Sequence, residues 1–489
     1  MIKPKIMFLI TITILGLSIG YGAFNAELSI SGEATVEPFI VYKEIILNGT
    51  EPKLEEPLIP ITIENDGTVK KADITSKWYS YEEKRWANAI ILKDETKTYN
   101  NGEIIPEEEI ESYFVWIPKY SYKLWDLGNY TDNTGIDESK VHSIEIRFGT
   151  TNTTDSVFGE CTTPKVSGES GNCEVGDYMT HPAFLAFNTT GIWVGKFETG
   201  YSGATTTTEA EKNTTEVDKV IVKPNVYSWR YIQVANAFTI SYNYQRELDS
   251  HMMKNTEWGA VAYLSHSIYG ISDSIRINNN SNFLTGYVAV NEPTVDYPEY
   301  KDYGTNSSVT QSYNTTTGYL ASTTGNITGV YDMSGGADEY VMGVQVDNNG
   351  LPLSGRHNIY NSGFNGTLGC PACDIGTVSG VDSSITSITN GINLPSSKYY
   401  DSYKVNSNGN KINRILGDAT GEMGPFGVNI RNRNISSWYS DNSWFVYSGG
   451  PWFHRGGNYY IGSGAGAFYF DNPYGHAYSN VSFRLVLCI

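Results

Sequence analysis

Apolar and polar residues alternate in "ELSISGEATVE" and again in "IPITI", a period of two that predicts strands. "YFVWIPKYSYKLW" is apolar, aromatic and β-branched almost throughout, with one proline, and suits a buried strand. "GIWVGKFETGY" reads as another strand. In "WRYIQVANAFTISYNY" and "ELDSHMMKNTEWGAVAYLSHSIYG" the apolar positions recur at helical spacing instead. They predict two helices, the second with Thr256 and Glu257 ahead of its apolar face. Thr- and Asn-rich stretches such as "SGATTTTEAEKNTTEV" and "SSVTQSYNTTTGYLASTTGNITG" read as exposed loops. No internal repeat interrupts this order. The pattern predicts an α+β chain with two helices, several short strands and much loop.

The N-terminus carries a different pattern. Lys3 and Lys5 precede an apolar run from Ile6 to about Phe24, roughly the 20 residues that span a bilayer. Gly20 and Gly22 are small residues at cleavage spacing. Residues 1–25 read as a signal peptide or an N-terminal membrane anchor, with cleavage the favoured reading, and either form exports the remainder. Residues 26–110 are expected to form a small β-rich stalk or lead-in, with "GTEPKLEEPLIP" as a linker. The main body is expected over 111–489.

Composition narrows the function classes. Of 489 residues, 40% are hydrophobic, enough for a sizeable core, and 13% are aromatic, too many for a disordered chain. The net charge of -19 offers no basic face for phosphate contacts and argues against a nucleic-acid partner. An exported location, extracellular or at the cell surface, fits a turn-rich and acidic composition. In that setting Cys161 and Cys173 read as a disulfide closing a polar loop, and Cys370 and Cys373, in "CPAC", as a local disulfide. Redox exchange and a four-cysteine zinc site stay open as weaker readings. Cys488 is expected to be buried as a small apolar residue at the end of a strand.

Five stretches share an order with a known family. "GIWVGKFETGY", "NVYSWRYIQVANAF", "NTEWGAVAYL", "GVYDMSGGADEYVMG" and "RGGNY" with "VSFRLVL" resemble, in sequence, motifs of the formylglycine-generating (sulfatase-modifying) enzyme family. The resemblance runs from about residue 111 to the C-terminus. It implies a C-type-lectin-like domain of the formylglycine-generating type, loop-rich and α+β. Independently, "YDMSGGADEY" reads as a tight turn through Asp332 and Ser334, with Glu339 and Tyr340 on the element beyond. The planar forks of Arg455 and Arg484 suit carboxylates or carbonyls in a loop-rich core. Asp332, Glu339, Arg455 and Arg484 are therefore read as structural.

The family's oxidases use a closely spaced cysteine pair near the C-terminal part of the domain to bind copper. Here only Cys488 lies in that region, so an enzyme is not expected. There is no G-x-S-x-G elbow, H-E-x-x-H or Walker A loop. No cofactor is expected, although acidic and Asn side chains are plentiful enough to leave structural calcium open.

The remaining signal is C-terminal. From Asn458 to Asn480 there are five tyrosines among glycines and serines, with Asp471 the one formal charge. Tyrosine among Ser, Gly and Asn is the chemistry of an adaptable binding surface. Phe468 and Phe470 are expected inside. Trp452, Tyr459, Tyr460, Tyr469, Asp471, Asn472, Tyr474, His476 and Tyr478 are the candidate ligand contacts. His454 and His476 bracket the loop, where packing or ligand contact is favoured over a metal pair. The run also resembles the variable segment of retroelement-diversified proteins, in which asparagine-type codons are mutated. Tyr459, Tyr460, Ile461, Ser463, Asp471, Asn472, Tyr474, His476, Tyr478 and Asn480 fit that substitution set. The expected function is an exported adhesin or receptor-binding protein with a protein or glycan ligand. A copper oxidase and a structural subunit of a surface layer or filament are the alternatives.

Overall fold

The computed structural model describes residues 48–123, 144–148, 177–273, 275–277, 312–346, 364, 376–378, 392–404, 415–420, 441–442, 452–458, 461, 464–471 and 473–489. The N-terminal apolar run, Cys161, Cys173, Cys370, Cys373, Tyr459, Tyr460 and Asn472 lie outside them. The chain from Ile45 to Ile489 is one compact unit. Among the described residues no helix is long and apolar enough to cross a membrane.

The strands in chain order are β1 (Ile59–Ile63), β2 (Val69–Lys71), β3 (Asn88–Leu92), β4 (Ile110–Pro118), β5 (Tyr120–Lys123), β6 (Ile146–Phe148) and β7 (Tyr178–Thr180). Next come β8 (Gly191–Gly195), β9 (Gly200–Tyr201), β10 (Val220–Ile221), β11 (His251–Met252), β12 (Asp338–Val341) and β13 (Gly343–Val346). The C-terminal part adds β14 (Gly376–Val378), β15 (Ile392–Leu394), β16 (Asp401–Lys404), β17 (Phe453–Gly456), β18 (Gly466–Asp471), β19 (Val481–Phe483) and β20 (Leu485–Leu487). Two α-helices stand among them, α1 (Val234–Tyr244) and α2 (Asn255–Ser265).

This corrects the fold class. The chain is mostly β, with twenty strands in six sheets and only two α-helices among the described residues. The expected α+β, C-type-lectin-like class does not hold. Many strands run only two to four residues. A segment that short cannot display a period of two, so it reads as loop in the sequence.

The main sheet has seven strands in the order β11-β20-β8-β4-β3-β1-β2. β4 is apolar almost end to end because both its faces are covered: every residue from Ser112 to Pro118 is buried. β3 and β8 flank it and are buried throughout. Pro118 closes β4, where its missing N–H breaks no interior ladder. β1 pairs with β3 and β3 with β4, and one apolar core runs from Leu58 to Cys488.

The helices fall inside the predicted segments but start later. α1 begins at Val234, after Tyr231 takes a left-handed φ of 57°. α2 begins at Asn255, because Asp249, at φ 47°, ends a short turn and His251–Met252 then joins β20 as β11. Glu257 caps α2 by accepting the Lys254 N–H at 2.8 Å. All eleven residues of α2 are buried, which explains its weak amphipathic pattern. Gly259 lets the helix approach the 417–418 segment, since a Cβ there would lie 1.8 Å from the Gly417 carbonyl.

Lys196, fully buried after β8, ties the sheet to the 327–329 segment. Its Nζ donates to Asn88 Oδ1 at 2.8 Å and to the carbonyls of Ile327 and Gly329 at 2.7 and 2.8 Å. Three acceptors around one nitrogen require three protons, so the geometry describes an ammonium, although burial pushes its pKa well down.

Candidate functional site

The C-terminal run folds around a four-stranded sheet in the order β18-β17-β12-β19. Glu339 pairs with Arg455, and Tyr340 with His454. His454 in turn pairs with Asp471, and Arg455 with Phe470. Because side chains alternate along strands, Glu339, Arg455 and Phe470 share one face. Asp338, Tyr340, His454 and Asp471 share the other.

The first face is core. Arg484 donates through Nε to Glu339 Oε2 at 2.9 Å, through Nη2 to Glu339 Oε1, and through Nη1 to the Gly195 carbonyl at 2.8 Å. Both partners are fully buried. Burial pushes the Glu339 carboxyl up and the Arg484 fork pulls it back. A carboxyl whose two oxygens both accept N–H bonds is ionised. Arg455 donates to Asn255 Oδ1 at 2.8 Å and to the carbonyls of Asp418, Ala419 and Ala467 at 2.7, 3.3 and 3.3 Å. Its guanidinium also lies over the rings of Trp258 and Phe470, 5.7 Å from each centroid. Burial lowers its pKa to about 10, still a cation at neutral pH. The two glycines after it, Gly456 and Gly457, take φ values of 82° and 68° at a register shift in β17. That backbone accounts for the "RGG" motif. Asp332, at φ 62° and buried, sits in the turn before β12.

The second face carries the candidate site. The loop over residues 473–480 lies across it, and six of its carbonyls are held from outside the loop. Trp452 N–H donates to Pro473 O at 3.3 Å, Val234 N–H to Gly475 O at 3.4 Å, Tyr231 N–H to Tyr478 O at 2.9 Å and Asp338 N–H to Asn480 O at 2.9 Å. Tyr340 Oη donates to His476 O at 2.6 Å, and Arg230 Nη1 to Ser479 O. Arg230 is fully buried and is itself held by Glu211 at 3.0 Å and the Thr207 carbonyl at 2.7 Å. Anchoring through the main chain leaves the side chains of Tyr474, His476 and Tyr478 half-buried at the surface. Their rings form a row. Tyr474 and His476 are 5.9 Å apart, and His476 and Tyr478 are 5.6 Å apart with planes within 10°. The buried ring of His454 packs 4.5 Å from Tyr340 and 6.5 Å from Tyr478. Tyr478 therefore bridges the two histidines that bracket the loop. Burial lowers the His454 pKa to about 3, so its imidazole is neutral.

Asp338 closes one end. Its Oδ2 accepts from Asn458 Nδ2 at 2.6 Å and Asn480 Nδ2 at 3.1 Å. Burial, with Asp471 nearby, pushes its pKa up to about 8. Both amides donate to Oδ2, so the proton resides on Oδ1.

Not every expected contact faces solvent. Trp452 is fully buried and stacks on Phe364 at 5.3 Å, and Tyr469 is 5% exposed. Their large rings fill the core beneath the loop instead of presenting it. Phe468 and Phe470 are buried as expected, and so is Cys488, a free thiol just after β20. Asp471 stays partly exposed, its Oδ2 3.5 Å from Tyr469 Oη. Among the described residues no group of three or more His, Cys, Asp or Glu is placed to hold a metal.

Sequence reasoning missed Arg230, Tyr231 and Asp338 as parts of this site. Arg230 lies 249 positions before Ser479, whose carbonyl it holds, a separation that only the folded backbone closes, and Tyr231 is its neighbour. Tyr231 is 48% exposed between fully buried Arg230 and Ile232. Its left-handed φ costs about 1 kcal/mol or more in a residue with a Cβ. No protein-family model matches the chain, and no curated protein matches it.

Proposed function

We propose that the chain is an exported surface protein that binds a protein or glycan ligand through the aromatic loop at residues 473–480. One observation carries this reading: the loop is fixed by its carbonyls, while Tyr474, His476 and Tyr478 remain partly exposed. A pre-ordered backbone lowers the entropy lost on binding, and tyrosine supplies large contact area with few rotatable bonds. The same arrangement lets the three side chains vary without loss of the fold. That property suits sequence diversification, which the composition of the run and its resemblance to diversified proteins also support. The motif order shared with the formylglycine-generating family points to descent, and the absence of a C-terminal cysteine pair in the sequence favours binding over oxidation.

The test pairs binding with stability. The purified protein is screened against immobilised glycans and cell-surface proteins, and the hits are re-measured with the double variant Tyr474→Ala, Tyr478→Ala. Binding is expected to fall about tenfold or more while the protein still melts cooperatively, with a stability loss of about 1–3 kcal/mol because Tyr478 packs against the core. Undiminished binding to every hit would remove the loop from the function.

A further inference from the structure

The most exposed aromatic ring next to the loop is not in the loop. Tyr231 is 48% exposed, and its main-chain N–H holds Tyr478 O at 2.9 Å. Among the described residues it is the only aromatic with a positive φ. Folding gains little from it. Its ring makes no aromatic contact and its hydroxyl no hydrogen bond among the described residues, and a glycine would adopt the same backbone without strain. A bulky residue kept in a strained, solvent-facing position next to a binding loop is a mark of function.

The charge and shape of the face narrow what it meets. His476 and Tyr478 stack on each other with planes within 10°, whereas the exposed ring of Tyr231 stacks on none among the described residues and keeps its faces free. Ring faces carry partial negative charge and attract the polarised C–H groups on the flat side of a sugar ring. Arg230 is buried, Asp471 borders the row, and the whole chain carries -19, so the field disfavours anions. Resting on the reading of the 473–480 loop as the binding face, we infer that Tyr231 is a further ligand-contacting residue of that face and that its ligand is an uncharged glycan. Tyr231 supplies a constant wall, encoded far from the C-terminal run, against which the loop side chains select.

The test uses the full chain and four immobilised neutral polysaccharides: mannan, dextran, galactan and xylan. Wild type, Tyr231→Gly, Tyr231→Phe and the loop double variant are compared for binding and melting temperature. Wild type is expected to be retained on at least one polysaccharide. Tyr231→Gly is expected to bind about tenfold more weakly or worse, with an equal or higher melting temperature. Tyr231→Phe, which keeps the ring, is expected within about threefold of wild type. If Tyr231→Gly binds normally while the loop variant fails, the inference falls and the loop reading stands. If neither variant loses binding, both fall. A lower melting temperature for Tyr231→Gly assigns the residue to the fold and overturns its role as a contact. Retention on none of the four polysaccharides overturns the glycan.

Discussion

Buried charge decides what single residues do here. Arg484 and Glu339 are fully enclosed, so removing one partner strands the other. Arg484→Met is expected to cost about 3–5 kcal/mol, measured by chemical denaturation. Asp338 behaves in the opposite sense. Its folded pKa, about 8, stands above its ordinary value of 3.8. The folded chain then keeps a proton that the unfolded chain releases. The stability tied to this group is complete below 3.8 and is lost as pH rises to about 8. Asp338→Asn keeps an acceptor for Asn458 and Asn480 and does not titrate. The variant is expected to melt about 2 °C or more above wild type at pH 8, with the gap closing toward pH 4. Thermal melts across that range check it, and a gap that widens on acidification would contradict the assignment. That Arg455 and Arg484 need polar partners is legible in the sequence, because charged forks amid apolar residues must find them. The proton on Asp338 was not legible, since it depends on how Asn458 and Asn480 arrive from other segments.

At the level of elements, the long apolar segments declared themselves. β8 and both helices lie within the stretches whose spacing predicts them, while the stretch read as one strand from Tyr113 is divided between β4, which starts at Ile110, and β5 in another sheet. The two- and three-residue strands did not, and the fold class was misjudged for that reason. Burial of Trp452 and Tyr469 was likewise hidden, because composition alone does not say which tyrosines of a rich run face inward. Close packing between elements gives a sharp test. Gly259 allows α2 to meet the Gly417 carbonyl, and Gly259→Ala would push a methyl group into backbone atoms that have no free side chain to yield. A loss of about 1–3 kcal/mol or more is expected in denaturant titrations. A stability equal to wild type would mean that the helix and the 417–418 segment can separate without cost.

The unit from Ile45 to Ile489 is organised around one core that includes Leu58 and Ile61 at one end of the sequence and Cys488 at the other. β1–β3 belong to the same sheet as β4, and the unit beginning at Ile45 holds them together. Residues 45–489 produced alone are therefore expected to melt cooperatively, within about 2 °C of the full chain. Separate early melting of the 59–92 region would restore an independent lead-in. The placement of β20 has a further consequence. It lies between β11 and β8 in the main sheet, yet it is encoded after the aromatic loop. A reading frame broken anywhere within that loop would delete the strand, leave β8 without its partner and detach β11 from the sheet. Copies with frameshifts or premature stops could not close their core, and proteolysis of such open chains would clear them. An intact frame through the loop is thus a condition of folding: a chain that reaches its native state has been translated through residues 473–480 to β20.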